Sequence, residues 1–115
     1  MKILFVCLGD DYRPELVAEL ENEGFVVRRC TIGNLAVTRQ EFFPDCVVID
    51  FAIGKNTVEI ALEQWSSNTP IFAVLPEPEL DWYDRFVQRF DDTWNVLKSI
   101  TPLAQVISAK LAYLV

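Results

Sequence analysis

With 115 residues and 51% apolar content, the chain is long enough to bury one proper core and too short for two, so one domain over residues 1–115 is expected. A net charge of −7 repels phosphate backbones and anionic lipid, which disfavours autonomous nucleic-acid or membrane-surface binding and leaves a protein or a small molecule as partner. The lack of histidine removes the common general base, the Cys-His and Ser-His dyads and the usual transition-metal ligand together.

In chain order, Lys2-Ile3-Leu4-Phe5-Val6-Cys7-Leu8 is a continuous apolar run and predicts a buried strand over 2–8. It opens directly on that strand rather than on a cleavage site. No apolar run approaches the roughly 20 residues of a membrane span, so a cytoplasmic protein is expected. Gly9-Asp10-Asp11 breaks the strand. Pro14 suits a first helical turn, Glu15 favours its positive end, Leu16, Val17 and Leu20 recur at helical spacing, and Gly24 supplies the stop. A short strand over 25–30 and a weaker helix over 35–43 follow, the latter with Leu35, Phe42 and Phe43 as core contacts.

Pro44-Asp45-Cys46-Val47-Val48-Ile49-Asp50-Phe51 is the most telling stretch. Four apolar residues without polar alternation, three of them β-branched, describe a strand buried on both faces, as at the centre of a parallel sheet. Asp50 closes it. In an open α/β sheet the crevice beyond the strand ends is the usual place for ligands, so Asp50 is a site candidate; the plainer alternative is an acid that caps its loop and faces water.

Asn56 can cap a helix running to Trp65, Ile71 to Leu75 is a fourth strand, and Pro76-Glu77-Pro78 forbids its continuation. A helix is expected over Leu80 to Phe90. Its four aromatics cannot all turn inward, so Trp82, Tyr83, Arg85, Phe86 and Arg89 form a candidate protein interface. Trp94 to Lys98 reads as a fifth strand, and Thr101 with Pro102 opens a last helix carrying Leu103, Val106, Ile107, Leu111 and Leu114. Strands alternating with helices predict an α/β fold: one doubly wound, five-stranded parallel sheet with helices on both faces. Cys7, Cys30 and Cys46 are odd in number and each adjoins an apolar run, as buried reduced thiols do.

Three local patterns resemble the receiver domain of two-component response regulators. Glu23-Gly24-Phe25-Val26-Val27 resembles its first helix turning into its second strand, Pro44 to Asp50 its third strand ending in the phosphoacceptor, and Phe90-Asp91-Asp92-Thr93-Trp94 leading to Lys98 its fifth strand and lysine. The resemblance implies flavodoxin-like strand order 2-1-3-4-5, cytoplasmic signalling in a phosphorelay, and a histidine kinase, an output protein or a second copy as partner. It also implies phosphoryl transfer to Asp50, with Mg2+ held by neighbouring acids and Lys98 pairing with the new charge. The chain departs from that pattern. The acidic pair would fall near Cys7 and Leu8, leaving Asp10 and Asp11, displaced along the loop, with Asp50 as a weak Mg2+ set. Leu75 replaces the hydroxyl residue, and Ser99 follows Lys98 where proline is usual. The expectation is therefore a degenerate, or pseudo-, receiver with impaired phosphorylation at Asp50 and no enzymatic role; a working phosphoacceptor is the alternative.

Cys7, five residues and Arg13 also resemble the phosphate loop that opens low-molecular-weight protein tyrosine phosphatases, with Gly9 matching inside it. That resemblance implies a Cys7 thiolate nucleophile and an Arg13 that grips phosphate oxygens. Against it, Pro14 replaces the assisting hydroxyl residue, and Asp10 and Asp11 put negative charge where a dianion would sit.

Overall fold

The computed structural model describes residues 1–9, 11–65, 68–76, 82–97 and 99–114, the side chains of Val87, Tyr113 and Leu114 excepted. Two expected site residues, Asp10 and Lys98, lie outside the described residues.

Five strands, β1 (Lys2–Val6), β2 (Val26–Cys30), β3 (Cys46–Asp50), β4 (Ile71–Leu75) and β5 (Asp92–Asn95), form one parallel sheet in the order β2-β1-β3-β4-β5. The flavodoxin-like order expected from the sequence is the observed one. Among the described residues, four α-helices wrap it: α1 (Pro14–Asn22), α2 (Leu35–Phe42), α3 (Lys55–Leu62) and α4 (Leu103–Leu114).

Alternation along the strands divides the core in two. Ile3, Phe5, Cys46, Val48, Phe72 and Val74 face α1 and α4, among Leu16, Val17, Leu20, Leu103 and Ile107. Leu4, Val6, Val47, Ile49, Ile71 and Ala73 face the other way, among Leu35, Phe42, Val58 and Leu62 of α2 and α3. The strands β1, β3 and β4 are polar nowhere in their interiors because both of their faces are covered by helices. The thiols of Cys7, Cys30 and Cys46 are all buried.

Four local expectations are corrected. The stretch to Phe90 contains no α-helix among its described residues; it makes two single 3-10 turns, Tyr83–Arg85 and Val87–Arg89, closed by bonds from the Arg85, Phe86 and Arg89 amides to the carbonyls of Trp82, Tyr83 and Phe86. Aromatic residues are indifferent helix formers, and here their rings are drawn onto Phe51 instead. Strand β5 starts at Asp92 and ends at Asn95, because Asn95 turns the chain: its side-chain oxygen accepts from the Leu97 amide at 2.9 Å, and its own amide donates to the Ser99 hydroxyl at 2.8 Å. Helix α3 is entered from Gly54 at φ 96° rather than capped by Asn56. Phe43 is no core contact but 74% exposed, since the residue before Pro44 is barred from continuing the helix and turns left-handed at φ 52°.

Candidate functional site

Asp50 is the last residue of β3, and it shares the parity of Cys46 and Val48, so its side chain leaves the sheet on the α1 side. The pairing of Val6 with Ile49 sets the end of β1 alongside it, and Tyr12 and Arg13, just before α1, lie beside the carboxylate. Asp50 is fully buried, and among the described residues it is the sole buried polar or charged one. An isolated carboxylate there would cost several kcal/mol to keep ionised, so its partners decide what the site is.

Both carboxylate oxygens are engaged. Oδ2 accepts a hydrogen bond from Nε of Arg13 in a close ion pair. Oδ1 accepts from the backbone N–H of Ala52 at 2.9 Å, capping the 3-10 turn Phe51–Ile53. The plainer expectation is thus half met: Asp50 does cap its loop, but it is sealed from water. Arg13 has φ 50° and ψ 61°, a left-handed conformation at the residue that opens α1. Its guanidinium also lies 4.9 Å from the centre of the Tyr12 ring. Burial opposes the charge of Arg13, yet the hydrogen bond and the charge of Asp50 outweigh it and the pKa is raised. The Tyr12 hydroxyl is raised too, first by burial and then by the negative charge of Asp50. From the sheet edge, Nε of Arg29 donates to the Tyr12 carbonyl at 2.8 Å and buttresses the loop.

The pairing of Arg13 with Asp50 unites one residue from each of the two sequence resemblances and is not anticipated by either. A signal for it existed: a buried acid needs a counter-charge, the positions near Cys7 and Leu8 supply no acid pair to hold a metal instead, and Arg13 stands where α1 begins. The described residues fit a magnesium ion poorly. No three cysteine or carboxylate side chains among them converge, Asp11 is exposed, Leu8 points to solvent, and the Asp50 carboxylate already carries the Arg13 cation on one oxygen. Leu75, at the expected hydroxyl position, is a buried core residue opposite Asn95. The phosphatase reading finds no support in this geometry, because Arg13 is committed to Asp50 and the Cys7 sulfur donates to the Gly9 carbonyl at 3.3 Å.

The candidate interface residues are placed on the opposite side of the sheet. Trp82 stacks on Phe51 with ring centroids 5.0 Å apart, Tyr83 is tilted at 5.9 Å, and Phe86 meets the same ring edge-on at 6.5 Å. Phe86 is buried and Trp82 and Tyr83 are half-buried, so the outward surface of this segment is carried by Asp84, Arg85, Gln88 and Arg89, the last of which also donates to the Leu62 carbonyl at 3.2 Å.

No protein-family model matches this sequence, and no curated protein does. Solved structures do. The BeF3-activated N-terminal receiver domain of Klebsiella pneumoniae RstA is 18% identical over 98% of this chain and 97% of that one, with a TM-score of 0.74. The fold is that of a receiver domain. The receiver domain of the TMAO respiratory response regulator TorR matches at 17% identity over 98% and 95% of the two chains, with a TM-score of 0.72. The pseudo-receiver domain of the CikA protein matches at 15% identity over 98% and 95%, with a TM-score of 0.73. Receiver domains and a pseudo-receiver are therefore alike in backbone to this chain, and the difference between them must be sought in side chains. No helix among the described residues is long and apolar enough to cross a membrane.

Proposed function

We propose that residues 1–115 are one atypical receiver-type module of cytoplasmic signalling, acting through protein contacts, in which phosphorylation of Asp50 is impaired. The observation that carries this reading is the state of Asp50: buried, with one oxygen held by Arg13 and the other by the Ala52 amide. A carboxylate nucleophile must aim a free lone pair at an incoming phosphorus along an open path; each oxygen of this one already accepts a hydrogen bond, the side chain is fully buried, and Arg13 covers Oδ2. The absence of acids at positions 7 and 8 and of a hydroxyl at position 75 supports the same conclusion. Mg2+ binding is correspondingly weak, since the ion would have to displace Arg13 from Asp50 and draw in Asp11, which is exposed. The partner is a protein: a histidine kinase, an output protein or a second copy. Exposed Arg85 and Arg89, supported from beneath by Trp82, Tyr83 and Phe86, are the surface offered to it.

The test is a titration with magnesium and beryllofluoride, followed by tryptophan fluorescence and backbone NMR. The expected result is no saturable change in the amides around Asp50. Saturable binding centred there, and abolished by Asp50→Asn, would overturn this reading in favour of a working phosphoacceptor.

A further inference from the structure

We infer that Arg13 is the resident counter-ion of Asp50, a cation supplied by the chain itself that clasps the β1–α1 loop to the end of the central strand without any bound metal. Four observations converge on Arg13. Its Nε donates to the carboxylate; its guanidinium plane lies over Tyr12; its backbone is left-handed although it is not glycine; and it opens α1 without a side-chain cap of its own. A residue other than glycine in that conformation costs on the order of 1 kcal/mol in backbone energy and is retained only where its surroundings over-determine it. The buried negative charge of Asp50 is what does so here. The clasp also explains how the loop is ordered: Arg29 holds the Tyr12 carbonyl from outside, Tyr12 lies against the guanidinium, and Asp50 anchors the guanidinium from within.

The donor geometry selects the class of cation. A hard divalent ion wants several oxygens, whereas a single buried carboxylate oxygen beside an aromatic ring suits a planar, weakly hydrated guanidinium. An outside cation of the same kind can reach the place, because the outer side of Arg13 borders a hollow of about 220 Å³ lined with Glu15, Leu16, Glu19, Trp94 and Val96. The inference rests on the proposed function only in taking Asp50 as the centre of the site. The two are read by different measurements: the magnesium and beryllofluoride titration reads phosphorylation, and melting reads the clasp. A failed clasp would leave impaired phosphorylation resting on the residues at Cys7, Leu8 and Leu75 alone.

The experiment compares wild type, Arg13→Gly, Asp50→Asn and the double variant by thermal melting of the full chain, with and without millimolar methylguanidinium chloride and with sodium chloride as the ionic-strength control. Glycine is chosen because it suits the left-handed turn, so loss of the guanidinium is read without added backbone strain. Arg13→Gly is expected to melt more than about 10 °C below wild type. The double variant should recover much of that loss, since the unpaired charge has gone. Methylguanidinium should raise the melting point of Arg13→Gly and leave that of the double variant unmoved. If Arg13→Gly does not fold, a folded double variant supports the clasp, and an equally unfolded one overturns it. An Arg13→Gly melting point equal to wild type, no recovery in the double variant, or equal rescue of both variants by methylguanidinium also overturns it.

Discussion

Replacing Trp82 with alanine separates a core role from an interface role. The indole lies 9° from parallel to Phe51 at 5.0 Å and meets Phe86 nearly edge-on at 5.9 Å. Half-burial of a side chain of this size hides roughly 100 Å² of apolar surface, or about 2.5 kcal/mol. The two ring pairs add about 0.5 kcal/mol each, so a total loss of about 3.5 kcal/mol is expected. In a domain of this length that corresponds to a fall of about 14 °C in Tm, and to a urea midpoint lower by on the order of 2 M. A double-mutant cycle with Phe51→Ala should return a coupling of about 1 kcal/mol, because the stacked pair is counted once in each single variant. Arg85→Ala, on the exposed side of the same segment, serves as control and should stay within about 0.5 kcal/mol of wild type. If Trp82→Ala left the urea midpoint where it was but altered self-association in sedimentation, the placement of Trp82 against Phe51 as a stabilising contact would be refuted.

Other outcomes follow from single contacts. Burial pushes the Cys30 thiol up to about 12, with Cys7 adding to it, and burial, then Asp45, does the same to Cys46. Because the folded-state values are raised, this contribution to stability is intact below about pH 9 and is lost as the pH climbs toward 12, by about 1.4 kcal/mol per thiol at about pH 10. A urea midpoint that falls equally with pH in a Cys30→Ala, Cys46→Ala variant would contradict this. Glu19 on α1 accepts from the Ala104 amide at 3.2 Å and so caps α4 from across the face of the sheet; Glu19→Ala should cost about 1 kcal/mol in chemical denaturation, and Glu19→Gln clearly less. Asp91 exchanges two bonds of 2.7 Å with the Ile71 backbone where β4 begins, so Asp91→Ala should lower stability by about 1–2 kcal/mol, and an unchanged midpoint would show that the clamp is idle. Aryl-phosphate hydrolysis should be absent; turnover abolished by both Cys7→Ser and Arg13→Ala would reinstate the phosphatase reading.

The strands were legible because a strand covered on both faces must be apolar throughout, and the runs at Ile3–Val6, Cys46–Ile49 and Ile71–Leu75 have no other economical explanation in a chain of this size. Helices α1 and α4 were legible for a similar reason, since Pro14 and Pro102 mark their beginnings and their apolar positions recur at helical spacing. The stretch ending at Phe90 was misread because Trp82, Phe86 and Phe90 have the spacing of a helix face. What gathers them is the single ring of Phe51, more than thirty residues earlier in the chain, which Phe90 also meets at 5.2 Å. Spacing along the chain could not distinguish the two.

The site divides along the same line. That an acid ends the central strand, that Cys7 and Leu8 stand where the acid pair was expected, and that Leu75 stands where a hydroxyl was expected are properties of the sequence, and they were enough to doubt a working phosphoacceptor. That Asp50 is sealed from water, and that Arg13 pairs with its charge, was decided only by the tertiary structure. The β1–β3 register and the parity of Asp50 bring residues 37 positions apart into one buried pair. Charge pairing at that separation is governed by which strand lies beside which and by how little water remains between them. Neither quantity has any period or spacing in the sequence.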